Sequence, residues 1–275
     1  MGGSWFASGG PPVGEKWDFS AQSPRITDPD VLLLAFLLAR QRVVVSLLLS
    51  GNSITSVGSK TLASAFTTCS GIHTLDLSHN LIDDTAVRYL VQAGSSCLYS
   101  VKLSHNRIGD SVMGTLCDVL QKKNCRIVEL DLSFNSITDR GSMSILPAAQ
   151  GGGSLKRLSL AGNQLQSKGG KVWAKMLEEQ RKAPKEKRYI YTLTELNLNL
   201  NPLNHDVHTE LLASVHKGAA GKELSALGTA PDPSSLDGGF VKTRPETGFL
   251  VLHAAGFVIN VDLYDSAATA ADPFG

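Results

Sequence analysis

Residues 72–90 read IHTLDLSHNLIDDTAVRYL and residues 126–146 read RIVELDLSFNSITDRGSMSIL. Aligned on Asn80 and Asn135, both carry aliphatic residues eight, five and three places before the asparagine and two places after it. Working outward, the same frame fits Asn52, Asn106, Asn163 and Asn201. Five places before each asparagine stands Leu47, Leu75, Val101, Leu130, Leu158 or Leu196, and three before stands Leu49, Leu77, Leu103, Leu132, Leu160 or Leu198. Six copies in register are the signature of a stacked, solenoid architecture.

The period of two between the aliphatic positions makes a short strand whose alternate side chains enter the core. A polar residue recurring amid buried leucines is expected to satisfy backbone groups of neighbouring coils, so all six asparagines read as structural. Four places on come Ser56, Asp84, Asp110, Asp139 and Ser167, side chains able to cap a helix start. Ten places on, Leu62, Leu90, Leu116, Ile145, Trp173 and Leu211 mark a buried helical stripe, with Phe66, Leu120 and Leu177 one turn further. The asparagines lie 26 to 29 residues apart except the last two, 38 apart, which places an insertion after the fifth repeat.

These segments, with LKRLSLAGNQLQSKGGKVW at 155–173, resemble the ribonuclease-inhibitor-like leucine-rich-repeat family over residues 43–218. The resemblance implies an α/β fold: a right-handed solenoid, or horseshoe arc, of about six repeats with parallel strands on the concave face and helices on the convex face. It also implies a surface that grips other proteins.

Outside the repeats, residues 1–27 read as a flexible Gly/Pro-rich tail in which Trp5, Phe6 and Trp17 are candidate docking anchors, or aromatics that pack back on the domain. Residues 28–42 open with Asp28-Pro29 and predict a helix capping the first coil. The insertion EEQRKAPKEKRYIY, 178–191, reads as a lengthened helix and loop offering Tyr189 and Tyr191 to a partner. Residues 219–248, rich in Gly, Ala, Ser and Pro, read as a linker. Residues 249–275 read as a strand or hairpin extension, with Phe249 and Phe257 as contact candidates. A two-stranded hairpin alone is marginal in water, so it is expected to pair with the solenoid's edge or with a partner strand.

Composition narrows the function class. Lys and Arg number 26 against 25 Asp and Glu, which leaves no broad basic field for nucleic acid or an anionic membrane. The most apolar stretch, 31–49, is broken by Arg40, Gln41 and Arg42, short of the roughly 20 residues of a membrane span. Cys69, Cys97, Cys117 and Cys125 show no metal-ligand spacing, and the first residues lack a secretory pattern, so a reducing, cytoplasmic setting is expected. Three of these cysteines precede strands and read as packing residues.

Two rows of side chains should line the concave face. One runs Leu48, Asp76, Lys102, Asp131, Ser159, Asn197, with Lys102 between two carboxylates; the other runs Ser46, Thr74, Ser100, Glu129, Arg157, Glu195. At the rim, His79, His105 and Phe134 follow one another beside Ser78, Ser104 and Ser133. Asp76, His79, Lys102, His105, Glu129, Asp131, Phe134, Arg157 and Glu195 are thus the candidate partner contacts. The histidines lack an evident third metal ligand, and the serines lack a nucleophile elbow or an oriented triad. No phosphate-loop motif is present. The expectation is a non-enzymatic protein-binding scaffold, without cofactor, metal or small-molecule substrate, in a larger cytoplasmic assembly. Cytoskeletal, ciliary or flagellar axonemal settings enter by analogy alone. A GTPase activator resembling the one acting on Ran, using Arg107 or Arg140, and a ribonuclease-inhibitor-like or immune-type sensor are the alternatives.

Overall fold

A computed structural model describes residues 15–40, 44–67, 71–151, 153–182, 192–215, 239–244, 249–254 and 257–262. Strand and helix alternate from the start: β1 (Glu15–Asp18), α1 (Asp28–Leu38), β2 (Val44–Leu48), α2 (Ser56–Phe66), β3 (Thr74–Asp76), α3 (Asp84–Gly94), β4 (Ser100–Lys102). A 3-10 turn at Asp110–Val112 then leads into α4 (Met113–Leu120), followed by β5 (Glu129–Asp131), α5 (Asp139–Gln150), β6 (Arg157–Ser159), α6 (Ser167–Lys182), β7 (Glu195–Asn197) and α7 (His205–Val215). Neighbouring strands from β1 to β7 pair in parallel, each with the next in sequence. Register sets Leu47, Leu75, Val101, Leu130, Leu158 and Leu196 side by side, all buried. Across from them, Leu62, Leu90, Leu116, Ile145, Trp173 and Leu211 are fully excluded from solvent. Strand leucines facing helix stripes make one continuous core, the arrangement of a leucine-rich-repeat solenoid.

The asparagines tie each coil to the one before it. Asn80 Oδ1 accepts the Ile54 N–H at 3.0 Å, and its Nδ2 donates to Leu49 O at 2.9 Å and to its own coil at Leu77 O. Asn52 does the same with Ile26 and Phe19, Asn106 with Ile82 and Leu77, Asn135 with Ile108 and Leu103, Asn163 with Ile137 and Leu132, and Asn201 with Leu165 and Leu160. The side chain thus satisfies buried backbone groups where a tight turn cannot.

The expected helix caps are displaced by one residue. Thr55, Asp83 and Thr138 cap α2, α3 and α5, their side chains accepting from Val57, Ala86 and Arg140 N–H. The carboxylates beside the caps reach forward to the following coil: Asp28 to Thr55 N–H, Asp84 to Gly109 N–H, Asp110 to Thr138 N–H and Asp139 to Gln166 N–H, at 2.6–2.9 Å. Room for three of them comes from glycine: a Cβ at Gly58, Gly141 or Gly169 would lie 2.5, 2.2 or 2.3 Å from the Oδ1 of Asp28, Asp110 or Asp139.

Both ends differ from the sequence reading. The flexible tail of 1–27 does not extend over Glu15–Asp18, which pairs with β2. The helix read as a cap is the second half of a first coil. Ile26 and Phe19 engage Asn52 as Ile54 and Leu49 engage Asn80, and Gln22 takes the asparagine's place, donating to Ser20 O. Seven strand-helix coils therefore stack among the described residues, one more than the asparagines count. At the other end the stretch read as linker contains a strand, β8 (Gly239–Arg244), followed by β9 (Phe249–Ala254) and β10 (Phe257–Asp262). β10 joins the solenoid's own edge, parallel to β7, and β9 and β8 follow antiparallel.

Candidate concave and rim interface

The residue just before each asparagine turns the chain through the left-handed region. Gly51, His79, His105, Phe134, Gly162 and Leu200 have φ of 74, 54, 54, 53, 62 and 57°, and Ala21 at the matching place in the first coil has 47°. Side chains there project at the rim instead of into the core. With strands set roughly 4.8 Å apart, like residues stack. The His79 and His105 rings lie 4.0 Å apart at 12°, and His105 and Phe134 lie 4.2 Å apart at 10°. All three remain exposed. The ladder ends on Gly162, whose missing side chain leaves room for the Phe134 ring.

The histidines are stacked as their spacing suggested. Partial burial holds the His105 pKa below its ordinary value, and the neighbouring His79 pushes it the same way, against the opposing pull of Asp131. No group of three or more His, Cys, Asp or Glu able to hold a metal occurs among the described residues.

Inside the rim, strand register reproduces both predicted rows. Asp76, Lys102 and Asp131 stand on adjacent strands, half-buried. Ser133 fixes the end of this row: its hydroxyl donates to Asp131 Oδ1 at 2.6 Å, and its N–H to the same oxygen at 3.0 Å. In the second row Arg157 lies between Glu129 and Glu195 and forms an ion pair with Glu129. This end is drier than a solvated groove: Glu129, Ser159 and Asn197 are all buried.

The remaining candidates separate. Trp17 occupies an inward position opposite Leu47 and packs half-buried on the core beside Phe19, so it serves the first coil instead of projecting to a partner. Trp5, Phe6, Tyr189, Tyr191 and Cys69 lie outside the described residues, and α6 runs to Lys182, within the segment read as the insertion. Phe249 and Phe257 begin β9 and β10. Arg107 and Arg140 are exposed, the first beside the rim and the second in the first turn of α5. Cys97, Cys117 and Cys125 are buried free thiols, and burial pushes the Cys117 thiol up, keeping it protonated. Sequence reading missed the exposed apolar flank of α1, which VLLLAFLL carried as a helix apolar all round.

A family model described as a leucine-rich repeat matches residues 123–146 and 154–172, the fourth and fifth asparagine repeats. Among solved structures, the ectodomain of the Arabidopsis receptor kinase HAESA, in complex with an N-terminally extended IDA peptide hormone, is 17% identical over 61% of this chain and 36% of that one, with a TM-score of 0.25. This chain therefore spans little more than a third of that ectodomain. The leucine-rich-repeat domain of APL1 is 12% identical over 81% of this chain and 73% of that one, with a TM-score of 0.21. Comparison with curated proteins returns no match.

Proposed function

We propose that this leucine-rich-repeat protein is a non-catalytic protein-binding subunit of a larger cytoplasmic assembly, its partner docking across the concave rows and the rim ladder. The single observation behind this reading is the exposed stack His79–His105–Phe134. Three rings held at fixed spacing by strand register offer large apolar contact area at little cost in side-chain entropy. Beside them, Asp76, Lys102 and Asp131 alternate in sign and supply the polar surround that selects a partner. A ribonuclease-inhibitor-like ancestry fits the strand-helix coils, and a cytoskeletal or axonemal setting is one such assembly.

The test is affinity capture from native cells with the full chain and with a variant carrying His79→Ala, Phe134→Ala and Asp131→Lys. One protein set held by the full chain and lost by the folded variant is the expected result. An identical set retained by both removes the concave and rim surface as the docking site.

A further inference from the structure

The rim ladder has one bare face. The Phe134 ring leans towards the following coil, reaching within 2.5 Å of where a Gly162 Cβ would stand, and the two histidine rings line up with it, each within 12° of its neighbour. His105 is therefore covered on both faces, by His79 and by Phe134. A ring covering the other face of His79 would have to come from the coil before it, and there the left-handed position is Gly51, with φ of 74°. Among the described residues no ring meets that face, and His79 is exposed.

The space over Gly51 suits a flat group. Its far side is Ala21, whose Cα and Cβ lie 3.3 Å from the place of the Cβ that Gly51 lacks. Ala21 and His79 stand two coils apart, roughly 10 Å at the spacing of paired strands. One aromatic ring fits between them, since contact needs roughly 3.5–4 Å on each side. The floor is the Gly51 backbone, held by its N–H donating to Ser78 O at 2.9 Å.

Charge selects among occupants. Ala21 and Gly51 carry none, and their neighbours in sequence, Gln22 and Ser50, are uncharged as well. The carboxylates of the flanking coils, Asp18 and Asp76, stand three places earlier in the concave row: Asp18 pairs with Lys16 at 3.0 Å and accepts the Ser20 N–H, and Asp76 accepts the Ser78 N–H. A guanidinium stacked on His79 would give up hydration there without an anion of its own, a cost that a neutral ring does not meet. A ring also covers the bare imidazole face while ordering few torsions. That favours an aromatic side chain over an arginine.

We propose that the space over Gly51 receives an aromatic side chain of the partner protein, stacked on His79 as the next rung of the ladder; this rests on the concave and rim surface being the docking site. The probe is N-acetyl-tryptophanamide, titrated into the full chain while NMR follows the ring protons of His79 and His105. The His79 signals should move upfield and those of His105, already covered on both faces, should stay, whereas N-acetyl-leucinamide should move neither. Gly51→Asn, a residue that tolerates the left-handed backbone and fills the space, should abolish the shift. The two rings and two amides compared in the unaltered chain decide the matter even if that variant folds poorly. In affinity capture from native cells, folded Gly51→Asn should lose the protein set that the full chain holds. An unmoved His79, an equal shift in Gly51→Asn, or a larger shift with N-acetyl-argininamide overturns the proposal. A set kept by Gly51→Asn but lost by the variant altered at His79, Phe134 and Asp131 overturns it too, while leaving the concave and rim surface as the docking site; a set kept by both removes that surface and the proposal together.

Discussion

The Phe134 ring lies over Gly162, so close that a Cβ on Gly162 would come within 2.5 Å of the ring's Cδ1. Gly162 also holds φ of +62°, so alanine there meets backbone strain and a steric clash together. Gly162→Ala is expected to cost about 2 kcal/mol in urea denaturation. In a Phe134→Ala background the loss should fall to about 1 kcal/mol, the strain alone. Equal losses in both backgrounds would show that ring and glycine are not coupled.

Asn135 should be irreplaceable. Its carboxamide accepts from Ile108 N–H and donates to Leu103 O and Leu132 O, all buried. Asn135→Ala leaves these groups without a partner and should cost about 3 kcal/mol in the same measurement. Asn135→Asp retains the acceptor but loses both donors, and should fare little better at neutral pH.

A buried charge pair makes a third expectation. Removing Arg157 leaves Glu129 desolvated without its cation, so Arg157→Met should destabilise by about 3 kcal/mol. Adding Glu129→Leu should restore most of the loss, because the apolar pair has no charge to desolvate. Thermal melts of the two variants check this. A double variant as unstable as the single one would mean that packing, not charge, sets the cost.

The ladder should also report on pH. The folded state holds His105 below its ordinary pKa of 6.5, between the His79 ring, the Phe134 ring and Asp131, so the unfolded chain takes up a proton first as pH falls. Stability is then unaffected well above 6.5, declines as pH drops below that value, and levels off once the folded state is protonated too. His105→Gln should flatten this decline in denaturation curves taken between about pH 7 and pH 5. A slope identical in the variant would assign the effect elsewhere.

The periodicity carried the fold almost entirely: strand register sets Asp76, Lys102 and Asp131 side by side because each stands four places before its asparagine. The first coil escaped because Gln22 replaces the marker residue, although Ile26-Thr27-Asp28 echoes Ile54-Thr55-Ser56. The forward reach of Asp28, Asp110 and Asp139 escaped for another reason. A capping residue and its neighbour look alike in sequence, and only the stacking of coils shows which backbone each one meets. β8 was hidden by the glycine, serine and proline around it, since strand pairing there depends on β9 and not on local preference.

Carboxamides reach back to the preceding coil, while the carboxylates of Asp28, Asp84, Asp110 and Asp139 reach forward to the following one. The stack therefore has a polarity, and shortening it is not equivalent from its two ends. Losing the last coil strips Leu165 N–H and Leu160 O of the Asn201 carboxamide that serves them, deep in the coil that remains. Losing the first coil releases the Asn52 side chain, which then stands at an open end where water can take over its bonds.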